Sequence, residues 1–164
     1  MEDVVVKYIR EPYGENQDIL RLFRYIAGEC DSKKERTRYR CGAGVSNKPD
    51  KAAMQMIKLQ KLYRKAAQKH GNKVCRRIYH YMLSFPLSMD DANCANLAAA
   101  EVADVFAGRY QVYYGVHEDT KHLHIHLAIN AVSYVDGKKW HKSKKEMEEL
   151  EAWMKEKARE ALWC

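Results

Sequence analysis

The sequence predicts an α+β fold, a single domain over residues 1–164, with a central, mainly antiparallel sheet and helices packed on it. Three observations carry this expectation. Runs of β-branched and aromatic residues take turns with segments whose apolar residues recur at helical spacing. Two of the extended runs are joined by a tight connection, which antiparallel neighbours allow and parallel ones do not. The chain has 164 residues, the length of one compact domain, and shows no repeat or low-complexity linker.

The elements follow in order. Val4–Ile9 (VVVKYI) is short and β-branched and reads as a strand. Asp18 is placed to cap a helix, DILRLFRYIAGE, with Ile19, Leu22, Phe23 and Ile26 on one face and Gly28 near its end. The basic run Lys33–Arg40 and the following CGAGVSNKP read as a loop. Pro49 opens a second helix, with Ala53, Met56, Ile57, Tyr63, Ala66 and Ala67 on one face and Gly71 as C-cap. Val74–Phe85 (VCRRIYHYMLSF) reads as a strand. Ser88 and Asp91 resemble a capping box, with Asp in place of Glu or Gln, and open a helix carrying Leu97, Val102, Val105 and Phe106 as far as Gly108.

Tyr110–Val116 and Leu123–Tyr134 form a hairpin across Glu118–Lys121, and Asp136-Gly137 makes a further turn. Ser143 with Glu146 caps a last amphipathic helix, with Met147, Leu150, Met154, Ala158 and Leu162 inward. The order is β-α-α-β-α-β-β-α.

Charge narrows the partners. Basic residues number 29 against 22 acidic ones, a net charge of +7, which suits nucleic acid and equally suits a merely soluble basic protein. The five cysteines are odd in number and contain no C-x-x-C pair, which points to a reducing compartment, the cytoplasm, rather than a disulfide framework. The N-terminus has no signal-peptide character, and no apolar run is long enough to cross a bilayer, so membrane insertion is excluded.

Chemistry concentrates in HEDTKHLHIHLAIN, His117–Asn130, which holds four of the seven histidines. Side chains alternate along a strand. Leu123, Ile125, Leu127 and Ile129 therefore share a face fit for burial, while His122, His124, His126, Ala128 and Asn130 share the other. His124 and His126 aim at one point, and His117 reaches it across the hairpin. Three neutral imidazoles make a divalent-metal site with an open position, and Asp119 is placed to hold a ring N–H. Solvated surface histidines are the alternative, and the apolar parity of the opposite face speaks against an appended histidine tract.

This stretch resembles the third motif of conjugative relaxases, HUH endonucleases that nick DNA at an origin of transfer. The nearest likeness is to the MOBP mobilisation class, with H-x-D-x-x-x-x-H-x-H, an apolar stretch and Asn. The match falls on His117, Asp119, His124, His126 and Asn130. YHYMLSF, Tyr79–Phe85, resembles the second motif, whose Ser is here Ser84; RLFRYIAGE, Arg21–Glu29, resembles the first, whose nucleophilic Tyr is here Tyr25.

The resemblance implies an HUH sandwich and a bacterial cytoplasmic enzyme. It would be a metal-dependent tyrosine transesterase, using Mg²⁺ or Mn²⁺ on single-stranded origin DNA, with relaxosome proteins as further partners. It also implies a 5′-phosphotyrosyl link and a free 3′-hydroxyl. Asp119 is the candidate for help with the phenolic proton. Tyr8 and Tyr13 remain alternative nucleophiles, and Tyr25 read by periodicity alone is a core-edge aromatic.

Ser84 and Asn130 are candidate DNA contacts, as are Lys33, Lys34, Arg36, Arg38 and Arg40, in a loop Lys33–Lys48 expected to close over a bound strand. The same residues also read as a polar strand end and a solvated basic loop. Lys138–Lys142, around Trp140, is a second basic-aromatic cluster of the same ambiguity. His80 shares the parity of Ser84 and is either structural or on the active face. His122 stands outside the triad.

Three other readings share these residues. A rolling-circle replication initiator of the HUH class usually places its Tyr after the histidines, the reverse of the order here. A non-cleaving single-strand DNA-binding module keeps the fold without the chemistry. A histidine-metal hydrolase that uses water leaves no covalent adduct.

Overall fold

A computed structural model describes residues 2–29, 37 and 39–163. The elements are β1 (Val5–Ile9), α1 (Asn16–Ile26), β2 (Arg40–Ala43), α2 (Pro49–Leu62), β3 (Lys69–His70), β4 (Lys73–Val74), β5 (Ile78–Ser84), α3 (Ala92–Ala107), β6 (Val112–His117), β7 (His124–Asn130) and α4 (Lys144–Glu160), then a 3-10 turn at Ala161–Trp163. Five strands form one sheet in the order β1-β5-β7-β6-β2, antiparallel throughout, and β3 and β4 make a small separate hairpin. The fold is the expected α+β sandwich.

Strand β7 lies at the centre, and its alternation sorts the core into two layers. Ile125, Leu127 and Ile129 pack with Tyr81, Leu83, Val112 and Val116 beneath Ala95, Ala99, Val102 and Phe106 of α3 and Met154 and Ala158 of α4. On the opposite face Ile78, Tyr113 and Ala128 are covered by Ile19, Phe23 and Ile26 of α1 and Ala53, Met56 and Ile57 of α2. Phe23 stacks on Tyr113 with ring centroids 5.1 Å apart. Helix α1 is tied to α2 by Arg24, whose guanidinium donates to both Asp50 carboxylate oxygens at 2.8 and 3.1 Å.

Several boundaries differ from expectation. Arg40–Ala43 is not loop but an edge strand paired with β6. The four residues RCGA give no alternating apolar signal, so only the pairing with β6 reveals the strand. Helix α1 is capped by Glu15, with Asp18 at the third helical position reaching back to the Glu15 N–H at 3.1 Å. Helix α2 stops at Leu62 rather than running to Gly71. Beyond it the chain is basic and polar, with no stripe to bury, and Gly71 (φ 62°) instead turns the β3–β4 hairpin. The strand expected from Val74 starts at Ile78.

Helix α3 is capped by Asp91 alone, accepting from the Asn93 N–H at 2.8 Å, and Leu97 faces solvent because the small residues Ala95, Ala98 and Ala99 take the sheet side. The Ser143–Glu146 capping box forms as expected. Cys41 and Cys75 are free thiols, whereas Cys94 is disulfide-bonded, a bond not anticipated for a reducing compartment.

Candidate active site

Strand register builds the site. His117 pairs directly with His124 across β6 and β7, and Gly115 pairs with His126, so the three rings share one face. All three are buried, and one nitrogen from each lies within 4.8 Å of the others. Ligand bonds of ~2.0–2.1 Å place nitrogens on one ion at most about 4.2 Å apart, so small side-chain adjustments close the set.

The outer nitrogens are already engaged. His117 Nε2 donates to the Ile26 carbonyl at 3.0 Å. His126 Nδ1 is 2.8 Å from His80 Nε2, and His124 Nδ1 is 3.1 Å from the His122 carbonyl and 3.3 Å from Thr120 Oγ1. This leaves His117 Nδ1, His124 Nε2 and His126 Nε2 to face one another. Burial, with the neighbouring imidazoles, pushes His126 down to about 2, and burial also lowers His117, so both rings are neutral at ordinary pH. Neutral imidazole is the form that ligates a metal, and the donor set fits a divalent ion with an open position.

Tyr25 stands over this cluster. Its hydroxyl is 3.4 Å from His126 Nε2, and its ring meets His117 and His126 edge-on with centroids 5.2 and 5.0 Å away. It is 41% exposed, so a strand of DNA can reach it. Gly115 permits this placement: a Cβ there would lie 2.2 Å from the Ile26 carbonyl oxygen, so the C-terminal end of α1 rests on β6 only because that position has no side chain. The other tyrosines are disposed elsewhere. Tyr8 stacks on Tyr79 and meets Tyr81 at a tilt, across the sheet from the histidines, and Tyr13 is buried with its hydroxyl 2.7 Å from His80 Nδ1. Tyr113 donates to the Asn47 carbonyl at 2.8 Å.

A family model described as "Relaxase: MobA/VirD2-like, nuclease domain" matches residues 25–163. The chain belongs to the relaxase family. A comparison with curated proteins finds no match. The relaxase is thus a nuclease that acts on DNA, and the matched span includes Tyr25, Ser84 and the whole histidine segment. Among its described residues no helix is long and apolar enough to cross a membrane.

The remaining expected residues of the relaxase are placed unevenly. Asp119 is exposed on the loop after His117, and its charge acts on that ring. His122 sits outside the triad, with Nδ1 2.8 Å from the Phe85 carbonyl. Ser84 pairs with His124 across β5 and β7, so its half-buried side chain shares the face of the triad.

Asn130 is fully buried at the far end of β7. Its carbonyl accepts from Gln60 and the Val132 N–H at 3.1 Å each, and its amide donates to Gln111 at 2.9 Å. That side chain is committed to the interior rather than to DNA. Arg40 donates to Glu29 at 2.7 Å from its place in β2. Lys33, Lys34, Arg36 and Arg38 lie outside the described residues. Trp140 is core, stacked on Tyr79 at 4.6 Å, with Lys142 over its ring. Sequence reasoning missed Gly115 and the Ile26 carbonyl, which no motif marks, and left His80 undecided although its parity with Ser84 pointed to this face.

Proposed function

We propose that this relaxase nicks and rejoins one DNA strand, site-specifically, at the origin of transfer of a plasmid or integrative element, and so initiates mobilisation from the bacterial cytoplasm with relaxosome partners. The observation that supports it is the Tyr25 hydroxyl beside the face of three buried imidazoles. A phosphodiester resists attack because its anionic oxygens repel nucleophiles and its sugar oxygen leaves poorly. His117, His124 and His126 would hold a Mg²⁺ or Mn²⁺ ion, which would supply charge neutralisation for the phosphodiester and help orient its phosphorus.

Tyr25 Oη attacks the phosphorus in line. As the Oη–P bond forms, the P–O3′ bond breaks, leaving a 5′-phosphotyrosine and a sugar oxygen that takes a proton to become a free 3′-hydroxyl. The phenolic proton passes to Asp119, directly or through a histidine. Attack by a 3′-hydroxyl on the phosphotyrosine reverses the step and rejoins the strand. Ser84, beside His124, donates to a phosphate oxygen, and Lys33, Lys34, Arg36, Arg38 and Arg40 follow the backbone by charge.

The test mixes the protein, Mn²⁺ and single-stranded origin oligonucleotides and looks for a denaturation-resistant protein–DNA band. Wild type forms it; Tyr25→Phe binds DNA and metal but forms none. Cut DNA without a band points to a water nucleophile. Binding with neither cut nor band points to an accessory DNA-binding module. A band that persists in Tyr25→Phe moves the nucleophile to another tyrosine.

A further inference from the structure

Three side chains run in a line from the interior to the face of the triad. His80 shares that face because it pairs with Ala128, two residues along β7 from His126. Its Nε2 lies 2.8 Å from His126 Nδ1 and its Nδ1 lies 2.7 Å from the Tyr13 hydroxyl. His80 and Tyr13 are 4% and 8% exposed, so bulk water does not replace either bond.

Tyr13 is held at φ 51°, a left-handed conformation that residues other than glycine seldom adopt. The backbone on both sides of it is tied down by buried Arg77, whose N–H donates to the Pro12 carbonyl at 2.9 Å and whose guanidinium donates to the Gly14 carbonyl at 3.2 Å. The strained residue is therefore fastened where its hydroxyl meets His80.

Proton counting gives this line a direction. An imidazole that offers Nε2 to an ion carries its proton on Nδ1. His126 Nδ1–H must then donate, and among the described residues the group bonded to it is His80 Nε2, which must accept. The His80 proton consequently sits on Nδ1 and donates to Tyr13 Oη. We propose that His80 is a positioning residue of the metal centre, backed by Tyr13, which fixes the tautomer of His126 and aims its Nε2 at the ion. This inference rests on reading His117, His124 and His126 as that centre. The orienting task expected of Asp119 falls, for this ring, to His80.

The test is calorimetric titration of metal-free protein with Mn²⁺, together with ¹⁵N imidazole spectra of the Zn²⁺-loaded protein. His80→Phe keeps a ring but removes the acceptor, and Mn²⁺ affinity is expected to fall roughly 10–100-fold. His80→Gln retains an oxygen that accepts the same N–H and is expected to stay within about threefold of wild type, a rescue that simple packing does not produce. Tyr13→Phe leaves the His80 N–H unpartnered and gives a smaller loss in the same direction. In wild type the His126 proton is expected on Nδ1.

Equal affinity in wild type and His80→Phe overturns the inference alone, as does equal loss in the Phe and Gln variants, or a His126 proton on Nε2. Should His80→Phe not fold, Gln and Tyr13→Phe decide: wild-type affinity in Tyr13→Phe overturns it. A wild type that binds no Mn²⁺ overturns the metal centre itself, and this inference with it.

Discussion

His124 offers one of the three nitrogens of the proposed metal site and stands outside both hydrophobic layers. His124→Ala is therefore expected to lose Mn²⁺ binding in calorimetry and to form no adduct, while a gel-shift assay finds DNA affinity changed little, because basic residues supply most of it. Asn130 behaves in the opposite way. Its amide satisfies Gln60, Gln111 and the Val132 N–H inside the protein. Asn130→Ala should cost about 1–3 kcal/mol in urea unfolding, the range for stranding buried polar partners, and should leave affinity for the strand unchanged. If Asn130→Ala kept full stability and lost DNA binding, the interior role would be wrong. The two residues belong to one motif by sequence and to two different tasks by position.

At the scale of elements, the decisive contact is the end of α1 against β6. The Ile26 carbonyl accepts from His117, and Tyr25, one residue earlier, overhangs the triad. One short helical turn thus orients one imidazole of the triad and presents the hydroxyl proposed as the nucleophile. Gly115→Ala pushes a Cβ into the Ile26 carbonyl oxygen, a backbone atom that cannot swing aside. The helix end must move, so single-turnover nicking is expected to fall by about tenfold or more, the scale that a misplacement of about 1 Å produces. Stability should drop by about 1–3 kcal/mol, as for other overpacked sites. Mn²⁺ affinity, which rests mainly on β6 and β7, should fall less than the rate; an unchanged rate would show that the approach of α1 does not matter to the chemistry.

At the scale of the whole molecule, the sheet divides the labour. One face is packed by α3 and α4 and carries the bulk of the apolar core; the other shares its area between α1, α2 and the histidines. An ion that binds only the folded chain must stabilise it by mass action, about 2.7 kcal/mol at 100 times the dissociation constant. Melting followed by circular dichroism should therefore shift upward with Mn²⁺ in wild type and not in His124→Ala. The net charge of +7 leads to the last expectation: binding of an oligonucleotide should weaken steeply with salt, since phosphate contacts release counterions. A flat salt dependence would place the binding free energy in base stacking instead.

The antiparallel hairpin, the parity of β7, the final capping box and the convergence of His117, His124 and His126 were all legible in the sequence, because each rests on local periodicity or on spacing within one hairpin. Tyr25 was legible only through its resemblance to a motif, since helical spacing alone makes it a core-edge aromatic. The edge strand β2, the early end of α2, the burial of Asn130, the seat of α1 on Gly115 and the Tyr13–His80–His126 line were decided by tertiary structure. Each depends on a partner far away in the chain: Gly115 is set by Ile26, Asn130 by Gln60, and His80 by both Tyr13 and His126. Local sequence records which face a side chain takes, and packing alone determines what meets it there.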